Sequence, residues 1–261
     1  MPWEWHTPLF EYANNLGITI FSSPFDTTAV DYLENLNAPA YKIASFEAID
    51  IPLIKYTAST GKPMIISTGM ANAEEIAMAI DAARESSCNQ LAILHCVSGY
   101  PAPAEDYNLR TIQDMIQRYG LVTGLSDHTL DNTTAITSIA LGASIVEKHF
   151  TLDRKGGGPD DSFSLEPTEL ATLCKDCNTA WMAMGEVDYE RKSSELDNVK
   201  FRRSLYFVKS LKAGDVVTPD AVRSVRPGYG AAPKYLETII GMHVTKDIEI
   251  NSPVQLSDLK K

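Results

Sequence analysis

With 261 residues, 44% of them hydrophobic, the chain can bury a large core, which excludes disorder as its main state and suits one large domain with a small second one. Its formal net charge of -11 repels nucleic acid and anionic membrane, so neither is an expected partner, and a small anionic substrate would need a local basic site. No apolar run is long enough to cross a bilayer, and the opening Met-Pro-Trp-Glu-Trp-His lacks the basic flank and apolar core of a signal peptide, so a cytoplasmic location is expected. Cys88, Cys96, Cys174 and Cys177 read as free thiols, because the lone C-x-x-C of Cys174 and Cys177 has no second ligand pair nearby.

In chain order, a helix over residues 8–16 closes at Gly17. Apolar runs of strand length follow at 18–25, 40–45, 64–69, 91–96, 122–127 and 145–150. Helical spacing occupies 27–36, 73–85, 109–119 and 132–141 between them. Continuous apolar strands covered by helices predict a parallel sheet. The units recur about every 22 to 31 residues, near the roughly 31 of an eight-unit β/α barrel. Only six strands are read, and the first helix lacks a strand of its own, so two further strands are expected ahead of Met1 to pair the open edges. Residues 166–184, with Pro167 suited to a first turn, read as the last outer helix. The barrel is expected over 1–186, a polar linker over 187–200 and a small unit over 201–261. That unit opens with a strand at 204–208 and carries turns at 212–215, 226–230 and 251–253.

The carboxyl ends of barrel strands carry function, and here they hold one kind of chemistry. Read along the chain they are Ser22 and Ser23, then Lys42, Ser45 and Glu47, then Ser67 and Thr68. His95, Ser98 and Tyr100 come next, followed by Ser126, Asp127 and His128, and last Glu147 and His149. Hydroxyls and a lysine at one rim suit a phosphate, although serines serve equally as helix caps. Lys42 on an apolar strand needs a partner for its buried charge. His128 and His149 end neighbouring strands about 4.8 Å apart, so both imidazoles can reach one divalent ion. Alternation gives Gly124, Ser126 and His128 one common face of their strand and Ile145, Glu147 and His149 one common face of theirs, and these are the candidate inward faces. The glycines at 156–158, before Pro159 and Asp160, allow a loop to approach a ligand closely, but they lack the G-x-G-x-x-G form of a dinucleotide site.

The segments FSSPFD (21–26), AYKIASFE (40–47), GKPMIISTGM (61–70), GLSDHT (124–129), EKHF (147–150) and GGPD (157–160) resemble the sialic acid synthase family. The C-terminal unit is similar to that family's antifreeze-like SAF domain. WEWH near the start, FRRSL (201–205) and RPGYG (226–230) look most like the branch that makes pseudaminic acid. The resemblance implies an α/β fold, a TIM-type barrel followed by a SAF domain. It implies condensation of phosphoenolpyruvate with a 2,4-diacetamido-2,4,6-trideoxy hexose, by way of a metal-activated aldehyde and C–O cleavage. Lys42, Ser45, Ser67 and Ser126, with Ser23, would bind phosphoenolpyruvate, and His128 and His149 would hold Mn²⁺ or Mg²⁺. Tyr100, Asp160 and Ser98 would face the sugar, Ser98 standing where the sialic acid branch has an asparagine. Glu47 would act as a base, and Arg226 would reach over the other subunit's site in a domain-swapped homodimer. Family members begin with two strands that bring an acidic residue and a lysine to this pocket, and this sequence has neither. The alternatives are an N-acetylneuraminic or legionaminic acid synthase and, from another class, a non-catalytic binding protein.

Overall fold

The computed structural model describes residues 2–261 and divides into two compact units, one up to Gly185 and one spanning Glu186–Lys261. In the first unit, β1 (Tyr41–Ile43), β2 (Met64–Ser67), β3 (Leu91–Cys96), β4 (Val122–Asp127) and β5 (Val146–Lys148) form one sheet in sequential order, every pair parallel. Helices α1 (His6–Asn15), α2 (Thr27–Asn35), α3 (Ile51–Ala58), α4 (Ala73–Glu85), α5 (Thr111–Tyr119), α6 (Thr133–Ala140) and α7 (Pro167–Met184) precede, connect and follow the strands. Sequential parallel strands joined by helices describe an arc of a β/α barrel.

Local chemistry sets the helix ends. Asp26 caps α2 by accepting from Ala29 N–H, and Asn72 and Glu75 form a reciprocal capping box on α4. Gly120 ends α5 in the left-handed conformation, and Pro167 opens α7. Tyr41, Ile43, Met64, Ile66 and Ile93 of the strands pack with Val30, Leu33, Ile54 and Ile80 of the helices in one core. A second core gathers Leu125, Ile112, Ile139, Leu165 and Leu173. Gly124 is required where it stands: a Cβ there would lie 2.4 Å from the carbonyl oxygen of Ile145, so β5 could not close on β4.

The structure differs from the expected elements in three places. The strand expected over 18–25 contracts to a single bridge between Ser22 and Tyr41, because Pro24 has no N–H to offer and Asp26 already begins the next helix. Helix α3 lies outside the helical spacing of the sequence, since its eight residues scarcely exceed two turns and include Pro52. The stretch expected as a linker over 187–200 becomes a 3-10 helix at Ser193–Phe201, opened by Lys192 N–H donating to Glu195.

The second unit pairs β6 (Ser204–Phe207) with β7 (Val222–Val225), and β8 (His243–Val244) with β9 (Leu259–Lys260), both antiparallel, with α8 (Leu236–Ile239) between. Leu205, Phe207, Val217, Val222, Ile239 and Val254 form its core. In the turn at Lys212, Asp215 accepts from Lys212 N–H at 2.7 Å and Gly214 takes φ +96°.

Candidate active site

β1, β4 and β5 meet in an ionic node at their carboxyl ends. Lys42, only 7% exposed, donates from Nζ to Oε1 of Glu147 at 3.1 Å, and Ser126 Oγ donates to the same oxygen at 2.7 Å. Ser126 and Glu147 are register partners on adjacent strands, so the sheet itself delivers them face to face. Glu147 is thus the partner that a buried Lys42 demanded; its inward orientation was legible in the strand alternation, its role was not. An ammonium has three protons to donate, and Lys42 commits one of them here.

Two buried polar atoms at this rim have no partner among the described residues: Ser67 Oγ, on a residue 1% exposed, and Oε2 of Glu47. Unpaired buried polar atoms are rare and mark places where a ligand or water completes the set. Glu47 sits in a 3-10 turn, Ser45–Glu47, that swings its carboxylate to the cavity. Ser98 Oγ donates to Ser45 Oγ at 3.0 Å, and Gly69, at φ +50°, makes room for the pair. A Cβ at Gly69 would stand 2.4 Å from Ser45 Cβ and 2.8 Å from Ser98 Oγ.

The imidazoles of His128 and His149 lie opposite, their ring centroids 5.3 Å apart. His128 Nδ1 is 2.8 Å from the carbonyl oxygen of Val97; a carbonyl only accepts, so Nδ1 carries the proton and Nε2 keeps its lone pair. Burial first, and His149 nearby, push the His128 pKa below the ordinary value, which favours the neutral ring. His149 Nδ1 stands 3.5 Å from Oδ2 of Asp160. A carbonyl or carboxylate at Nδ1 is the arrangement that orients a metal-binding imidazole. Among the described residues no three His, Cys, Asp or Glu side chains converge on one point. The residues therefore fit an ion held by two imidazoles, with its other positions left for water or substrate. Tyr100 stacks 4.3 Å from His128, and Phe163 packs 5.1 Å from His149.

One cavity of about 370 Å³ joins these groups. Ser23, Lys42, Ser45, Ser67 and Ser126 line it together with Tyr100, His128 and His149, while Glu47 and Glu147 supply its carboxylates. Phe25 and Phe46 border it with 65% and 54% of their surface exposed. Ser98 reaches this group through Ser45, and Asp160 through His149. Arg226 lies in the second unit, exposed at the end of β7. His95, which ends a strand like the other two histidines, turns away: Nε2 pairs with the carbonyl oxygen of Tyr107 at 2.5 Å, and burial lowers its pKa. The glycines at 156–158 serve the protein instead of a ligand. They wrap the carboxylate of Asp161, which accepts from Gly158 N–H and Thr151 Oγ1, and a Cβ at Gly156 or Gly158 would strike it.

Residues 1–189 match the NeuB family and residues 202–260 the SAF domain. The chain is 37% identical to the pseudaminic acid synthase of Helicobacter pylori over 261 residues, which are 100% of this chain and 77% of that one. It is 36% identical to the N,N'-diacetyllegionaminic acid synthase of Campylobacter jejuni, over 93% of this chain and 73% of the relative. The solved structure of a Bacillus subtilis spore coat polysaccharide biosynthesis protein superposes with a TM-score of 0.68 at 30% identity, covering 100% of this chain and 78% of its own. The chain belongs to the NeuB family and carries a SAF domain after its β/α unit.

Proposed function

We propose that this chain condenses phosphoenolpyruvate with a 2,4-diacetamido-2,4,6-trideoxy hexose to give pseudaminic acid and phosphate. The single observation that carries the reading is one cavity in which a buried lysine and an unpaired serine hydroxyl face two imidazoles. An anion and an aldehyde can be held there at reacting distance.

Lys42, Ser45, Ser67 and Ser126, with Ser23, take the phosphate and carboxylate of phosphoenolpyruvate, Lys42 supplying the positive charge. His128 and His149 are the residues that would hold Mn²⁺ or Mg²⁺ through Nε2. Such an ion, when bound, supplies Lewis acidity toward the sugar's aldehyde oxygen. The enol carbon attacks the aldehyde carbon, a carbon–carbon bond forms, and the aldehyde oxygen takes a proton from solvent to become a hydroxyl. Water adds to the cationic carbon left behind, and Glu47, whose Oε2 has no protein partner, accepts its proton. The tetrahedral adduct then collapses, the C–O bond to phosphate breaks, and a ketone remains. Tyr100, Ser98 and Asp160 orient the sugar. The reaction belongs in the cytoplasm, where phosphoenolpyruvate is made, and Arg226 acts in trans, over the partner's cavity, in a domain-swapped homodimer.

Mass spectrometry of the product tests this reading. The 2,4-diacetamido-2,4,6-trideoxy sugar of the pseudaminic acid series should give a nine-carbon acid with release of phosphate. Turnover of N-acetylmannosamine, or of the legionaminic acid precursor alone, assigns the chain to a sister branch. Binding of phosphoenolpyruvate without phosphate release under every sugar would sink the enzymatic reading.

A further inference from the structure

We propose that the buried ion pair of Asp127 and Lys148 is a clamp that sets the positions of His128 and His149, making Lys148 a positioning residue. The proposal rests on the reading of those imidazoles as metal ligands. Asp127 and Lys148 are register partners on β4 and β5, and each directly precedes one of the two histidines. Their side chains are 0% and 3% exposed, with Nζ 3.1 Å from Oδ2. Lys148 borders the cavity, but its ammonium is wholly committed within the protein. Its three protons go to Asp127 Oδ2, to the carbonyl oxygen of Thr129 at 2.7 Å and to that of Asp131 at 3.0 Å. The other oxygen of Asp127 accepts from Thr129 N–H at 2.8 Å. The segment from 127 to 131 is therefore wound around one charge, and His128 lies inside the winding.

Stability alone gives no reason for this pair, since two desolvated charges are commonly replaced by apolar side chains at no loss. An apolar pair could not hold two carbonyl oxygens in fixed directions. The rest of His128 is pinned as firmly: its N–H donates to Tyr107 Oη at 2.6 Å, and its carbonyl accepts from Ala102 N–H at 3.1 Å. The clamp's other contacts, at residues 129 and 131, lie on the histidine side of Asp127, whereas Ser126 is set by the strand ladder, so the clamp acts on the separation of the rings more than on the phosphate-binding serines.

The test combines Asp127→Asn with Lys148→Met, so that no unpaired charge stays buried. Mn²⁺ binding to the whole chain is read by paramagnetic resonance of the free ion, phosphoenolpyruvate binding by calorimetry, and the fold by thermal melting. We expect Mn²⁺ binding about 10- to 100-fold weaker, as for other outer partners of metal ligands, with phosphoenolpyruvate binding retained. Wild-type Mn²⁺ affinity in the folded double variant overturns the proposal, as does equal loss of both ligands, which would mean general loosening. Should the double variant not fold, Lys148→Arg decides: a planar fork keeps the charge but not the three directions, so Mn²⁺ weakened about threefold or more supports the clamp and unchanged affinity overturns it. His149→Ala separates the two levels. If it binds Mn²⁺ as the wild type does, or if the wild type binds none, the metal reading falls and the clamp with it. If His149→Ala loses binding while the double variant keeps it, only the clamp falls.

Discussion

The two ends of the parallel sheet each open on a cavity, and the larger one is at the wrong end for chemistry. At the amino end, a space of about 640 Å³ is bordered by Met64, Ile65, Arg84, Cys88, Gln90 and Leu91. Arg84 donates there to the carbonyl oxygen of Tyr119, Cys88 leans on the carbonyls of Lys62 and Gln90, and among the described residues none of its side-chain polar atoms is both buried and unpaired. At the carboxyl end the space is about 370 Å³, yet it holds a buried lysine, two imidazoles and two unpaired polar atoms. Unmet hydrogen-bonding capacity is what marks a binding site.

That contrast can be broken most sharply at Lys42. Replacing it by methionine removes the cation of the anion subsite and strands Glu147, so kcat/KM for phosphoenolpyruvate should fall about 10³-fold, measured by phosphate release. Retained activity would mean the anion binds elsewhere. Gly69→Ala comes next. Its new methyl would collide with Ser45 and Ser98 at a residue of positive φ, and displacing these hydroxyls should cost about 10²-fold in kcat/KM. Ser67→Ala sharpens the comparison, because activity and stability should part ways. Its hydroxyl has no partner in the free protein, so removal should raise the KM for phosphoenolpyruvate about 10- to 100-fold while stability holds or rises by about 1 kcal/mol. A drop in melting temperature would show that Ser67 serves the fold. The smallest effect is expected at the other end, where Arg84→Ala should leave turnover unchanged and move stability by no more than about 0.5 kcal/mol.

The site was legible where one residue type in one place has few other uses. Lys42 on an apolar strand and two histidines ending adjacent strands signalled a cavity, and the cavity lies where strand alternation put it. His95 shows the limit. It ends a strand in the same way, but a turn of chain brings the carbonyl of Tyr107 against its ring, a contact between residues 95 and 107 that no spacing rule foresees. The glycines at 156–158 invited a ligand in the sequence, whereas the structure gives them the carboxylate of Asp161 to surround. Glu147 was readable as inward-facing, and only the pairing of β4 with β5 made it the counter-ion of Lys42.

By itself the sequence determined what short-range physics controls. Five of the six apolar runs became parallel strands, apolar stripes became helices, and Asp26, Asn72, Gly120 and Pro167 set where helices begin and stop. Tertiary structure alone decided which polar groups met. Lys42 and Glu147 are 105 residues apart, and Ser45 and Ser98 are 53 apart. Whether such side chains touch depends on register and on small residues such as Gly124 that let strands approach, quantities that exist only once the sheet has formed.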